Sequence, residues 1–368
     1  MPDRAQIRDE AHRLRRVFEA AGAEPFEGPI LQPADTLLDL YGEDIRARAY
    51  VTADPLRGEQ MLRPDFTVPV VQAHLASGRD RASYAYSGLI FRQQDEHPER
   101  PTEYFQTGLE LFGGDPAAAD AEVFAALSGA LDGLPVQAIT GDIGVLIAAI
   151  DGLDTSEIRK AALRRHLWRP ERFRELLLRY STLADMAALR DGLLLRVKAG
   201  EDVLAGAGPE IGLRTGAEVL ARLDRLVADA AEPPIPAAQV EALDRILKLE
   251  GAALSVVAPI REMAATIPAL VEAADRIEAR HEALRAQGID PAALAFEGSF
   301  GRTTLEYYDG FVFGFLVAGE TRDRWPPVAS GGRYDALTRV LGGGQGCRAV
   351  GGVLRPEQML KLKETASC

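Results

Sequence analysis

The sequence predicts an α+β fold: an antiparallel sheet flanked by helices, assembled from both ends of the chain, with a helical insertion between them. Three observations predict it. Residues Tyr86–Gly113 begin and end as apolar runs rich in aromatic and β-branched residues, with a polar, proline-broken stretch between, the pattern of two antiparallel strands and a long hairpin loop. Strand patterns return far downstream, at Ala295–Ser299 and through Leu305–Val317. From about Asp151 to Ala286 the chain is instead dominated by Ala, Leu, Arg and Glu, all strong helix formers. The division expected is therefore a sheet domain from residues 1–150 and 287–368, and an insertion over 151–286.

Taken in order, Ile7, Ala11, Leu14, Val17 and Phe18 recur at helical spacing, which predicts a helix over residues 5–22 ending near Gly22. Pro29-Ile30-Leu31 reads as a short strand. Arg63-Pro64-Asp65 has turn chemistry and leads into Phe66 and Thr67. On the hairpin, Arg92 stands where the first strand ends. Gln106, Gly108 and Glu110 alternate with Thr107, Leu109 and Leu111, so they share one face of the second strand. A helix over 118–130 and a strand at Val136–Thr140 follow. Within the insertion, helices break at Trp168-Arg169-Pro170, at Ala207-Gly208-Pro209 and at Glu232-Pro233-Pro234-Ile235-Pro236.

Composition narrows the function. A hydrophobic fraction of 47% and a charged fraction of 26% are ordinary for a globular protein. The net charge of −13 gives no general attraction for phosphate backbones, which require clustered Lys and Arg. One basic run, Arg159 to Arg179, departs from this. It reads either as helices with solvated basic faces or as a binding surface for nucleic acid or an acidic partner. Two cysteines, Cys347 and Cys368, permit no disulfide framework. The N-terminus carries charges of both signs and does not resemble a signal peptide, and no apolar run reaches a bilayer-spanning length, so a cytoplasmic location and no membrane association are expected. His12, His74, His97, His166 and His281 are scattered without a second ligand at metal spacing, so no metal site is expected, and no cofactor. Gly344-Gln345-Gly346-Cys347-Arg348-Ala349 fits a loose dinucleotide fingerprint but follows a helical pattern (Asp335 to Val340), where that motif needs a preceding strand.

Four segments, in order, carry a resemblance. Tyr86–Gly113 resembles motif 2 of the class II aminoacyl-tRNA synthetases in its histidyl version. Leu62-Arg63-Pro64-Asp65-Phe66-Thr67 resembles the loop that grips the amino acid. Leu305-Glu306-Tyr307-Tyr308, followed by Phe311-Val312-Phe313, resembles the histidine-specific segment. Gly331-Gly332-Arg333-Tyr334-Asp335 resembles the approach to motif 3, and Pro29-Ile30-Leu31 the motif 1 strand at that family's dimer interface. The resemblance implies a histidine pocket: Asp65 and Thr67 at the α-ammonium, Arg92 at the α-phosphate and carboxylate region, and Gln106, Glu110 and Tyr308 completing it, with Glu110 accepting from the imidazole. Of Tyr307 and Tyr308, strand alternation would let only one face the pocket, and the family's pattern favours Tyr308. Replacing Glu110 by Ala is expected to abolish histidine binding and leave the fold intact.

The chain departs from that family where it handles ATP. Gln94 stands at the motif 2 carboxylate, Thr303 at the histidine-specific arginine with Arg302 one residue off, and Gln358 at the motif 3 arginine, preceded by Arg355 and Pro356. Losing a single charge-stabilising donor commonly costs about 100- to 1,000-fold in rate. The sequence ends at Cys368, and an anticodon-binding domain is not expected. A retained amino-acid pocket with lost ATP chemistry resembles the ATP phosphoribosyltransferase regulatory subunits, non-catalytic paralogues of histidyl-tRNA synthetase. That resemblance implies assembly with a short-form ATP phosphoribosyltransferase catalytic subunit in the first step of histidine biosynthesis, histidine as feedback effector, a homodimer within a hetero-oligomer, and no tRNA binding. The alternatives are a degenerate synthetase-like ligase that activates an amino acid, and an RNA-binding module using Arg159–Arg179.

Overall fold

A computed structural model describes residues 2–34, 49–93, 101–181, 188–206, 215–302, 307–319 and 327–366. The chain opens with α1 (Arg4–Ala20), started by a capping box in which the Asp3 carboxylate accepts from the Gln6 amide and the Gln6 side chain accepts from the Asp3 amide. The main sheet has nine described strands in the order β1 (Glu24–Phe26), β5 (Ala82–Phe91), β6 (Glu103–Phe112), β12 (Ala349–Leu354), β11 (Ala329–Arg333), β10 (Phe311–Val317), β7 (Val136–Asp142), β9 (Ala295–Glu297) and β8 (Glu250–Ala252). All neighbours are antiparallel except β1 with β5 and β7 with β9, so the sheet is mixed, with its antiparallel part in the middle. Strands from the two ends of the chain meet where β6 pairs with β12. A small sheet, β2 (Leu31–Pro33), β4 (Gly58–Leu62) and β3 (Val51–Asp54), stands apart, with β2 at its edge.

The two faces of the main sheet differ in what they bury. Behind it, the Thr107 hydroxyl donates to the Ala11 carbonyl of α1 at 3.1 Å. Phe124 of α3 (Pro116–Ala130) packs against Phe311, Phe313 and Phe315 of β10. Burying a side chain of this size contributes about 1.5–3 kcal/mol. The same layer holds a buried ionic group. Asp120 of α3 accepts from Arg333 of β11 through one oxygen, at 3.0 and 2.7 Å, and from Arg280 of α11 (Leu270–Ala286) at 3.2 Å through the other. Arg280 also donates to Asp142 and lies 4.3 Å over the Phe311 ring. Buried charges are tolerated only when each is paired in this way. The result clamps α3 and α11 onto β11 and β7.

The front face is covered by α2 (Thr67–Ser77) and by the loop that precedes it. His74 of α2 stacks on Phe112 with ring centroids 4.1 Å apart. The strand expected over Leu305–Val317 begins only at Phe311; Tyr307–Gly310 form a turn and link, and residues 303–306 lie outside the described part.

From Asp151 to Ala286 the described residues are helical or loop apart from β8 and a single helical turn. Beyond α4 (Ile143–Asp151) come α5 (Glu157–Arg165), α6 (Pro170–Ser181), α7 (Ala188–Lys198), α8 (Gly216–Ala231), α9 (Ala237–Leu247), α10 (Val257–Met263) and α11. The expected breaks before Pro170 and over 232–236 are present; Ala207-Gly208-Pro209 lies outside the described residues. Several arginines of the basic run pair within the chain. Arg159 is buried, donates to Asp229 at 2.7 Å and to the carbonyls of Asp229 and Pro233, and lies 5.0 Å over Tyr180. Arg179 shares Asp229, while Arg164 pairs with Asp151 and Arg172 with Glu175. Among the described residues no helix is long and apolar enough to cross a membrane.

Candidate functional site

Strand register assembles the site on the front of the sheet. Glu110 on β6 stands opposite Tyr84 on β5 and Gly351 on β12, and Gly351 stands opposite Gly332 on β11. One step along, Gly108 pairs with Tyr86, and one step further Gln106 pairs with Gly88. The glycines are required by close approach. A Cβ at Gly351 would lie 1.5 Å from a Glu110 carboxylate oxygen, and one at Gly108 would lie 2.3 Å from the Tyr86 hydroxyl. The floor is therefore backbone, with large polar side chains laid across it.

Glu110 is at the deep end, 1% exposed. One of its oxygens accepts from the hydroxyls of Thr67 and Tyr86, both at 3.0 Å, and the other accepts from the Tyr334 hydroxyl at 2.6 Å. Burial pushes the Glu110 carboxyl up to about 7 against the pull of these donors, and nearby Asp65 adds to the rise. The same burial holds the Tyr86 and Tyr334 hydroxyls protonated far above neutrality. This end of the pocket favours a cation or a hydrogen-bond donor, which would relieve two neighbouring acids. Glu110 is also the acceptor that satisfies three buried hydroxyls, so its replacement by Ala would disturb the fold as well as the pocket, contrary to the expectation from sequence.

The loop carrying Asp65 is held on every side. The Arg63 guanidinium donates to the carbonyls of Leu89 and Gly28 and lies 4.0 Å over Phe66, and Phe66 stacks on Tyr86 with centroids 4.4 Å apart. Asp65 is buried and is approached by the Val68 amide at 3.5 Å. Arg92, just past the end of β5, donates through Nε to the Pro64 carbonyl at 2.8 Å, which fixes its guanidinium beside the same loop. Gln106 is 2% exposed, and among the described residues its buried side-chain oxygen has no donor. The structure thus brings Asp65, Thr67, Gln106 and Glu110 to one face with Arg92 at the margin.

Tyr307 and Tyr308 both reach the site. Their rings meet edge-on with centroids 4.8 Å apart, Tyr307 packs on Tyr334, and the Tyr307 hydroxyl is 3.4 Å from that of Thr67. Burial, then the charges of Glu110 and Asp65, raise the Tyr308 hydroxyl well above its ordinary range. The alternation argument fails here because the two tyrosines sit before β10, in a turn, where side chains need not alternate. Tyr86 and Tyr334 complete the Glu110 cluster and are not among the ligands that the sequence suggests. The available signal was register, since Tyr86 falls opposite a glycine on the neighbouring strand.

The departures from synthetase chemistry are partly visible. Gln94 and Thr303 lie outside the described residues, as do Leu305 and Glu306. Arg302 turns away from the pocket: it is buried, donates to the Leu167 carbonyl at 2.8 Å and stacks on Phe173 of α6. Gln358 is buried on α12 (Pro356–Ala366). Among the described residues no three His, Cys, Asp or Glu side chains gather as a metal site would require.

Comparison with known proteins agrees with this geometry. The histidyl-tRNA synthetase family model matches residues 1–232 and 217–359. A protein of Brucella anthropi named ATP phosphoribosyltransferase regulatory subunit is 32% identical over 359 residues, covering 92% of this chain and 93% of that one. A protein of the same name from Brucella canis is 30% identical over 361 residues, covering 92% of each. Among solved structures, an ATP phosphoribosyltransferase regulatory subunit/histidyl-tRNA synthetase from Bacillus halodurans superposes with a TM-score of 0.66 at 20% identity, covering 98% of this chain and 80% of that one. A histidine–tRNA ligase subunit from Alicyclobacillus acidocaldarius gives 0.60 at 22% identity, covering 100% and 96%. The chain belongs to the histidyl-tRNA synthetase family, and within it stands with the ATP phosphoribosyltransferase regulatory subunits.

Proposed function

We propose that the chain is a regulatory subunit of ATP phosphoribosyltransferase in histidine biosynthesis, that it has no aminoacyl-activating chemistry of its own, and that its front-face pocket binds free histidine as effector. The observation that carries the ligand reading is the Glu110 cluster: a buried carboxylate fixed by three hydroxyls, with a second acid beside it and an unpaired amide oxygen on the same strand. Such a polarity suits the imidazole and ammonium groups of histidine. Asp65, Thr67, Arg92, Gln106, Glu110 and Tyr308 are its proposed contacts. The partner is a short-form catalytic subunit, with this chain as a homodimer within the hetero-oligomer in the cytoplasm. Histidine would act by binding one state of the complex more tightly than the other, a coupling typically about 1–3 kcal/mol.

The test combines the purified chain with a short-form catalytic subunit. Association, stimulation of phosphoribosyl transfer and sensitivity to histidine are expected. No association and no stimulation would reject the assignment. Amino-acid-dependent pyrophosphate exchange by the chain alone would favour instead a ligase, the reading that the retained Arg92 keeps open.

A further inference from the structure

We infer that Asp309 is a positioning residue for the pocket: it touches no ligand, and it sets ligand affinity by holding the backbone on both sides of Tyr334 and, through its own chain neighbour, Tyr308. This rests on the ligand-pocket reading above and deepens it, since the resemblance gives Asp309 no part in the site.

The geometry is a bracket. The Asp309 amide donates to the Arg333 carbonyl at 2.9 Å, just before Tyr334. One Asp309 carboxylate oxygen accepts from the Asp335 amide at 3.0 Å, just after it, and the other accepts from the Ala336 amide at 2.6 Å. A single residue therefore holds the peptide links on either side of Tyr334, whose hydroxyl donates to Glu110 at 2.6 Å. The two amides open the short helix Asp335–Leu341, where a helix offers them no partner of its own. The residue at a helix start usually caps them with its side chain. Here that residue is Tyr334, which makes no capping bond and sends its hydroxyl to Glu110. The cap comes from another segment, and this joins the helix start to the pocket.

Asp309 directly follows Tyr308, so the same bonds fix the second ring. A Cβ at Gly332 would lie 2.8 Å from the Tyr308 ring, and one at Gly310 would lie 2.9 Å from the Arg333 side chain, so the two segments are in direct contact. Each is also tied to structure outside the pocket. The Gly310 carbonyl accepts from the Ile143 amide at 2.8 Å. Arg333 donates to Asp120 of α3 and to Asp335, and Asp335 also accepts from the Ala349 amide at 2.8 Å. Those bonds tie each segment to the sheet and its helices, while the three bonds of Asp309 tie the segments to each other. Without them the tyrosines can leave the arrangement that the ligand meets, and the observed affinity falls with the fraction of chains that keep it. The carboxylate is specific to the task, because one amide approaches each oxygen. Asparagine has a single oxygen and would turn its own N–H donors toward the second amide.

The experiment is calorimetry on the full chain with L-histidine, at a temperature where melting curves show each variant folded. Asp309→Ala should weaken histidine by about 10- to 30-fold, and Asp309→Asn, which keeps one of the two bonds, by about 3- to 10-fold. Arg159→Met, a change in the insertion, serves as the stability control and should leave affinity within about 2-fold of wild type. Near-ultraviolet circular dichroism of the tyrosines gives a second readout: the unliganded Asp309→Ala spectrum should differ from wild type and return to it at saturating histidine. In a Tyr334→Phe background, Asp309→Ala should weaken histidine by less than about 3-fold, because the hydroxyl it positions is gone. Histidine affinity unchanged in Asp309→Ala, with stability alone lowered, would reduce the residue to a helix cap and overturn the inference. An equal loss with and without the Tyr334 hydroxyl would overturn it as well. Asp309→Asn decides by the same criteria if the alanine variant does not fold. If wild type binds no histidine, the ligand-pocket reading falls and takes this inference with it, a result separate from the others.

Discussion

Replacing Glu110 by Gln tests whether the buried acid governs the pocket. Burial moves its carboxyl from an ordinary 4.5 to about 7. At about 1.4 kcal/mol for each tenfold change in proton affinity, this corresponds to about 3 kcal/mol. The sign is fixed by linkage. Between those two values the folded chain holds a proton that the unfolded chain has released. The stabilisation is present in full below pH 4.5 and is lost as pH rises through about 7. Glutamine cannot titrate. It keeps an oxygen for Thr67 and Tyr86, and the Tyr334 hydroxyl can rotate to accept from its amide. Urea unfolding of wild type and variant at pH 5 and pH 8 gives the answer. The stability of wild type relative to the variant should fall by about 2–3 kcal/mol across that interval. The difference between the proteins is the quantity to read, because Asp309, raised to about 6 mainly by burial, acts in the same direction in both. A difference constant to within about 0.5 kcal/mol would refute the claim that the ionised acid is held there at a cost.

Glu110→Ala should lower stability by about 3–6 kcal/mol, since three buried hydroxyls lose their acceptor; thermal melting checks it. Gly351→Ala should cost about 1–3 kcal/mol and remove histidine binding by calorimetry, because the new methyl group would collide with the Glu110 carboxylate. Asp120→Ala should destabilise by about 3–5 kcal/mol in urea unfolding, leaving Arg333 and Arg280 without their shared partner. Arg159→Met should reduce the melting temperature and leave filter-binding of tRNA at its wild-type level, given that this side chain is turned inward.

The central hairpin was legible because alternation and turn chemistry are local properties. Gln106, Gly108 and Glu110 share a face whatever else the chain does, and the face they share is the one the site occupies. Asp65 and Thr67 were legible through the resemblance of their loop, although the staples that hold it, Arg63 on Leu89 and Phe66 on Tyr86, depend on strands that only folding brings near. The tyrosine pair is not legible from alternation because the strand starts only at Phe311, after the turn that carries both rings, and period two applies only inside a strand. Arg355 stands in sequence just before the expected motif 3 position, but what holds it, the Val328 and Pro327 carbonyls, comes from the approach to another strand. The same holds for the Asp120, Arg280 and Arg333 group, whose members come from α3, α11 and β11 and carry no mark in sequence of belonging together.

Gly351 and Glu110 are one decision written in two places. The acid occupies the volume that any larger residue at Gly351 would claim, so each limits what the other can become. A descendant that shortened the acid would release its neighbour to acquire a side chain, and one that first added the side chain would drive the acid out. The two sites should therefore drift as a couple, and the pair, more than either residue alone, records whether a lineage still keeps its pocket.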